Sequence, residues 1–186
     1  MRIAFVIFEG MTALDFIGLY DPLTRLKTMG FMPELTWELC SMSPEVRDNT
    51  GLLFTPSRIG QPLTNYDLVV IPGGYGTRSL VRDIAFIEWI RSAQGSSVVA
   101  TVCTGSLLAG AAGMLAGKRA TTHPSAYEDL RHYSTGVLDQ RIVDEGDIIT
   151  ARGVCSAIDL GLYLCEKYAG TTTKERIRLQ MDYQTT

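Results

Sequence analysis

The sequence predicts an α/β fold, with an open, mostly parallel β-sheet covered by helices on both faces in three layers. Three observations lead there. Short apolar, β-branched runs (Ile3 to Phe8, Leu68 to Ile71 and the run opening at Val98) alternate with stretches whose apolar residues recur at helical spacing. These runs end abruptly at glycines or small residues, as buried parallel strands do when they hand the chain to a helix. The third run, Val98-Val99-Ala100-Thr101-Val102, passes through Cys103-Thr104-Gly105-Ser106 into another helical pattern. That is the layout of a nucleophile elbow, with Cys103 at the tight strand-to-helix turn.

Taken in order, Ile3 to Phe8 is a first strand, closed by Glu9-Gly10, and Leu14, Ile17, Gly18, Leu19, Leu23 and Leu26 mark a helix that runs to Gly30. Leu35 to Met42 is expected as a second strand and Leu52-Leu53-Phe54 as a short third. Leu68 to Ile71 is the fourth, stopped by Pro72-Gly73-Gly74. A single helix is expected from about Leu80 to Ala93, then the Val98 strand and an elbow helix reaching about Leu115. Short strands near Arg119 to Thr122 and Ile148 to Ala151 follow, with a short helix at Ser125 to His132 between them. Helices at about Ala157 to Tyr168 and Lys174 to Met181 end the chain.

The 186 residues, 46% of them hydrophobic, suit one domain spanning 1–186 with a substantial core. A net charge of −3, with 17 Lys and Arg scattered along the chain, lacks the basic stripe of a nucleic-acid binder. Four cysteines (Cys40, Cys103, Cys155, Cys165) without a C-x-x-C pair, and only His123 and His132 beside them, argue against a zinc site or a disulfide framework. Met1-Arg2 leads straight into a strand, and no run approaches the ~20 apolar residues needed to span a bilayer, so a cytoplasmic location is expected and no membrane partner.

Ligands of open α/β sheets bind beyond the carboxyl ends of the strands, so the loop leading to Asp15, the Pro72-Gly73-Gly74 turn and the Cys103 elbow are expected to meet. At the elbow, backbone N–H groups and the helix end favour thiolate over thiol. Asp15, set among apolar neighbours in Ala13-Leu14-Asp15-Phe16-Ile17, reads either as a helix cap or as a desolvated acid/base group beside Cys103. Gly74 and Thr104 are expected to offer N–H groups to a developing anion. His123 reads as a pocket wall or a buried core histidine, and Val154 and Cys155 as further wall; Asp159 reads as structural.

Cys103-Thr104-Gly105-Ser106-Leu107, followed by Gly110-Ala111-Ala112-Gly113-Met114-Leu115-Ala116-Gly117-Lys118-Arg119-Ala120-Thr121-Thr122-His123, resembles the ThiJ/PfpI superfamily of class I glutamine-amidotransferase-like folds. Leu14-Asp15, Ile71-Pro72-Gly73-Gly74 and Ile158-Asp159 extend the likeness over nearly the whole chain, and within the superfamily it is most similar to the isocyanide hydratases. The resemblance implies a flavodoxin-like sandwich and a homodimer acting without cofactor on a small-molecule isocyanide. It also implies Cys103 as nucleophile, Asp15 as acid/base residue, and Thr104 and Gly74 as frame of the pocket. Arg152, in a turn that is richer in glycine in the hydratases, is expected to narrow or charge the pocket mouth. Other branches imply a glyoxalase or deglycase acting on reactive carbonyls, or a sensor of oxidants or small ligands. The sensory regulators carry a downstream helix-turn-helix domain, and with the chain ending at Thr186 DNA-binding regulation is disfavoured.

Overall fold

Strand β1 (Arg2–Val6) opens the computed structural model, which describes residues 1–96 and 98–184, and is followed by helix α1 (Ala13–Thr28) and strand β2 (Thr36–Ser41). Next come β3 (Val46–Arg47), β4 (Leu53–Phe54), β5 (Arg58–Ile59) and β6 (Leu68–Ile71). Helices α2 (Thr77–Leu80) and α3 (Ile84–Arg91) lead to β7 (Val98–Val102) and α4 (Gly105–Ala111). After β8 (Arg119–Ala120), a 3-10 turn at Pro124–Ala126 runs into α5 (Tyr127–Leu130), and β9 (Gly136–Val137), β10 (Ile142–Asp144) and β11 (Ile148–Ala151) follow. Helices α6 (Ser156–Ala169) and α7 (Thr171–Gln180) complete the order.

The main sheet runs β10-β11-β7-β6-β1-β2-β5, parallel throughout except for β10 at one edge. Its central strands β1, β6 and β7 carry the apolar runs, and from Ile3 onward their residues are buried, which is why these segments are apolar on both faces. Helices α1, α6 and α7 pack together as one layer; α4, with α2, α3 and α5 against it, forms the other. The expected α/β sandwich is therefore the observed one. Among the described residues no helix is long and apolar enough to cross a membrane.

Several expectations are corrected. The helix expected from about Leu80 to Ala93 is shorter, running Ile84–Arg91: the Asp83 carboxylate accepts from the Phe86 N–H at 3.0 Å and starts it there, and a separate short helix, α2, ends at Leu80. The third strand does not join the main sheet: β4 pairs antiparallel with β3 in a separate hairpin. Likewise β8 leaves the main sheet and pairs with β9. The elbow helix stops at Ala111 rather than near Leu115, and Gly113 follows at φ +85°.

Candidate active site

Four neighbouring strands, β11, β7, β6 and β1, point their carboxyl ends the same way, and the loops leaving them converge on Cys103. The Cys103 N–H donates to the carbonyls of Ala151, the last residue of β11 (3.1 Å), and Arg152, the first of the loop after it (2.7 Å). Its own carbonyl accepts from the Thr122 hydroxyl at 2.8 Å and the Ser106 hydroxyl at 3.3 Å. Held on both sides, Cys103 adopts φ +54°, a left-handed conformation that costs a non-glycine residue roughly 1–2 kcal/mol. The elbow read from the sequence is thus present with the backbone strain that projects its side chain.

The turn after β6 supplies the opposite wall. A Cβ on Gly73 would lie 2.5 Å from the Thr104 nitrogen and 2.9 Å from the Cys103 Cβ, so only glycine allows the two loops to meet. The same turn is tied to α1, because the Thr12 N–H donates to the Gly73 carbonyl at 2.9 Å. In return the Gly73 N–H donates to Asp15 Oδ2 at 3.1 Å.

Asp15 is fully buried in the first turn of α1, yet its carboxyl bonds to Gly73 rather than to any N–H of its own helix. It is not a cap. Oδ1 has no hydrogen-bond partner among the described residues, and the carboxyl bears on the Cys103 thiol. Burial, partly offset by the Gly73 N–H and the thiol, raises the Asp15 carboxyl from 3.8 to about 7. Burial and then the charge of Asp15 push the Cys103 thiol up to about 12, against the opposing pull of the Thr104 N–H and hydroxyl. The two groups titrate as a pair: one proton leaves near neutrality and the second is held far more tightly. The helix end therefore does not by itself yield a free thiolate, as the sequence suggested. Cys103 is only 6% exposed and faces a carboxyl, and these outweigh the N–H groups of a short helix.

A cleft of about 260 Å3 opens on Cys103, walled by Gly74, Thr104, His123 and Val154 together with Thr12, Asn49, Tyr75, Arg78 and Ser125. The four expected wall residues are brought together; Cys155 is exposed and does not line the cleft. The Gly74 N–H is not free for an anion, since it donates to Thr104 Oγ1 at 3.0 Å. His123 belongs to the wall and not to the core, its Nδ1 lying 2.8 Å from the Ser125 hydroxyl. Arg152 contributes its carbonyl to Cys103, while its guanidinium pairs with Asp139 at 2.6 Å and lies outside the cleft lining. Asp159 is structural, bonded to Arg141 and to the Tyr183 hydroxyl. Among the described residues no group of three or more His, Cys, Asp or Glu is placed to hold a metal ion.

Asn49 and Tyr75 escaped the sequence reading. Asn49 reaches the cleft because its N–H donates to the Met11 carbonyl at 2.9 Å, seating the β3–β4 hairpin on the loop after β1. Its only sequence signal is the turn Asp48-Asn49-Thr50-Gly51.

Comparison with known proteins agrees with this architecture. The chain is 34% identical over 184 residues to the isonitrile hydratase of Pseudomonas putida, covering 98% of this chain and 78% of that protein. A ThiJ/PfpI family protein from Pseudomonas syringae superposes with a TM-score of 0.89 at 26% identity, covering 100% of this chain and 76% of that one. DJ-1beta of Drosophila melanogaster shares the fold, with a TM-score of 0.84 at 21% identity over 99% of this chain and 98% of its own. The DJ-1/PfpI family model matches residues 1–167, and with the elbow, the buried acid and the sheet order already in place, the chain belongs to the DJ-1/PfpI family.

Proposed function

We propose that this chain is an isocyanide hydratase, converting an organic isocyanide and water to an N-substituted formamide with Cys103 as nucleophile and Asp15 as acid/base residue. The observation that carries the reading is the buried Asp15 carboxyl, one oxygen unpartnered, set against the thiol in a cleft of small-molecule size. The similarity to the Pseudomonas putida enzyme supports the choice of substrate.

In the active form the pair holds one proton between sulfur and carboxyl. Sulfur attacks the terminal isocyanide carbon, forming the S–C bond, and the shared proton passes to that carbon; the product is a thioimidate, S–CH=N–R, with Asp15 as carboxylate. Water then adds to the same carbon. Asp15 takes a proton from the water and delivers it to nitrogen, giving S–CH(OH)–NH–R. The C–S bond breaks, its electrons return to sulfur, and the hydroxyl proton passes to the pair, releasing R–NH–CHO. No redox change occurs, and the protein's own groups move every proton. His123, Thr104, Gly74 and Val154 are proposed to bound the substrate.

Association as a homodimer, likewise proposed, is supported by large apolar side chains left exposed on α1 and the β3–β4 hairpin. Leu14 and Ile17 on α1 are exposed, as are Leu52 and Leu53 of the β3–β4 hairpin, and Phe16 of α1 meets Phe54 of that hairpin edge-on at 5.5 Å.

The test is formamide production from a panel of alkyl and aryl isocyanides by the wild type and by Cys103→Ala. Turnover that Cys103→Ala loses while remaining folded is the expected result. Consumption of methylglyoxal but of no isocyanide would replace this reading with reactive-carbonyl chemistry.

A further inference from the structure

Helix α1 carries both of the poorest helix formers in its interior, Gly18 and Pro22, one turn apart. Both face α6. A Cβ on Gly18 would lie 2.6 Å from the Ala157 Cβ and 3.2 Å from the Ile158 nitrogen, and a Cβ on Gly161 would lie 2.4 Å from Pro22 Cγ and 3.1 Å from the Gly18 carbonyl oxygen. One turn further along α6, the Cys165 thiol donates to the Pro22 carbonyl at 3.3 Å. Ala157, Gly161 and Cys165 recur every fourth residue and so form one face of α6, laid directly on the backbone of α1. Alanine at position 18 would favour the helix, so glycine stands there for want of room.

Each side of this contact leads to the candidate active site. Asp15 precedes Gly18 by three residues, on the same face of α1 and one turn nearer its start. Its carboxyl accepts the Gly73 N–H at 3.1 Å, and a Cβ on Gly73 would lie 2.9 Å from the Cys103 Cβ. On α6, the Ala157 N–H donates to the Val154 carbonyl at 3.1 Å and the Ser156 N–H to the Gly153 carbonyl at 2.8 Å. These bonds tie Ala157 to the loop whose Arg152 carbonyl accepts the Cys103 N–H at 2.7 Å. The Gly18–Ala157 contact thus joins the helix that bears the acid to the loop that holds the thiol.

We propose that Gly18 is a positioning residue: by letting α1 seat against Ala157, it sets how close the Asp15 carboxyl stands to the Cys103 sulfur. Carbons that are not bonded rest about 3.5 Å or more apart, so a methyl at position 18, starting 2.6 Å from Ala157 Cβ, forces the helices to part by about 1 Å. Whichever helix yields, either Asp15 or the backing of Cys103 moves, and the pair separates. The inference rests on Asp15 being the acid/base partner of Cys103 and not on the identity of the substrate.

The test compares Gly18→Ala with the exchange variant Gly18→Ala/Ala157→Gly, which moves the methyl across the contact and returns the room. Its readout is the titration of the Asp15 carboxyl, followed by NMR of isotope-labelled aspartate and assigned with Asp15→Asn. Cys103 faces Asp15 from the elbow, and Asp159, in the first turn of α6, is bonded to Arg141 and Tyr183; none of these changes in the variants compared. The wild type is expected to titrate at about 7. Burial is the chief cause of that elevation, so parting the helices and admitting water should lower the midpoint of Gly18→Ala by about one pH unit or more, toward 3.8. Isocyanide turnover should fall on the order of a hundredfold through kcat, with KM little changed, as a misplacement of about 1 Å costs. The exchange variant should recover both. If Gly18→Ala does not fold, Ala157→Ser, which adds one atom to the same contact, carries the same expectation. A contact that serves packing alone would lower thermal stability and leave the carboxyl midpoint and kcat where they are. That outcome in folded Gly18→Ala or Ala157→Ser overturns the proposal, as does an exchange variant that folds without recovering the midpoint. A wild-type midpoint near 3.8 would overturn the acid/base reading itself. Absence of isocyanide turnover in the wild type would refute the proposed reaction, while the carboxyl titration would still decide the role of Gly18.

Discussion

Replacing Asp15 by asparagine should change the sign of its effect on stability between acid and mildly alkaline pH. The carboxyl titrates at 3.8 in an unfolded chain and at about 7 in its buried place. Below 3.8 both states hold the proton and folding gains or loses nothing from it. Between 3.8 and about 7 the unfolded chain releases the proton while the folded chain keeps it, so stability falls by roughly 1.4 kcal/mol per pH unit. By pH 8 the folded protein has lost about 4 kcal/mol relative to acid conditions. Asparagine never ionises and so avoids this loss. It can still accept the Gly73 N–H, but its amide nitrogen would sit in the unpartnered Oδ1 position, at a cost of about 1–2 kcal/mol. The balance is a variant more stable than wild type by about 2–3 kcal/mol at pH 8 and less stable by about 1–2 kcal/mol near pH 4. Urea unfolding followed by tryptophan fluorescence, at both pH values, measures this directly. Turnover by the same variant should drop on the order of a hundredfold, since no proton remains to be moved at that position. A constant destabilisation of about 1 kcal/mol at both pH values is what a helix cap would give, and it would refute the buried-acid argument.

The paired titration also predicts the rate profile. With two protons the pair has no base, so kcat/KM for an isocyanide should rise as pH increases through about 7 and then level off; a flat profile between pH 5 and 9 would contradict the assignment. Because Cys103 sits at φ +54°, Cys103→Gly should be more stable to thermal unfolding than Cys103→Ala by about 1 kcal/mol, and equal stabilities would mean that the elbow relaxes in the variants.

How much of this was legible in the sequence depended on whether a feature is local. β6 and β7 are apolar on both faces because helices cover both, so their composition alone marks them. β3, β5, β9 and β10 are two or three residues long, too short for any period, and exist only through the partners they pair with. The meeting of Asp15 with Cys103 followed from placing both after parallel strands, although no spacing in the chain reports that β1, β6 and β7 are neighbours. The presence of Asn49 in the cleft depends on a hairpin docking across the fold, and Asp48-Asn49-Thr50-Gly51 shows only that a turn is there. The expected thiolate was overturned because sequence identifies the N–H groups at a helix end but not the degree of burial or the carboxyl opposite.

That Cys103 is pinned by residues from the far ends of the chain bears on how the protein folds. Its backbone N–H is held by Ala151 and Arg152, its carbonyl by Thr122, and its side chain faces Asp15 from the first helix. No short segment contains that set of contacts, so a nascent or half-folded chain carries Cys103 as an ordinary accessible thiol. Long-range parallel pairing is among the slower steps in folding, which makes the interval in which this thiol stands unguarded correspondingly long. A brief pulse of thiol reagent applied during refolding would therefore time the closure of the sheet at its centre, with the Cys103 thiol as the clock.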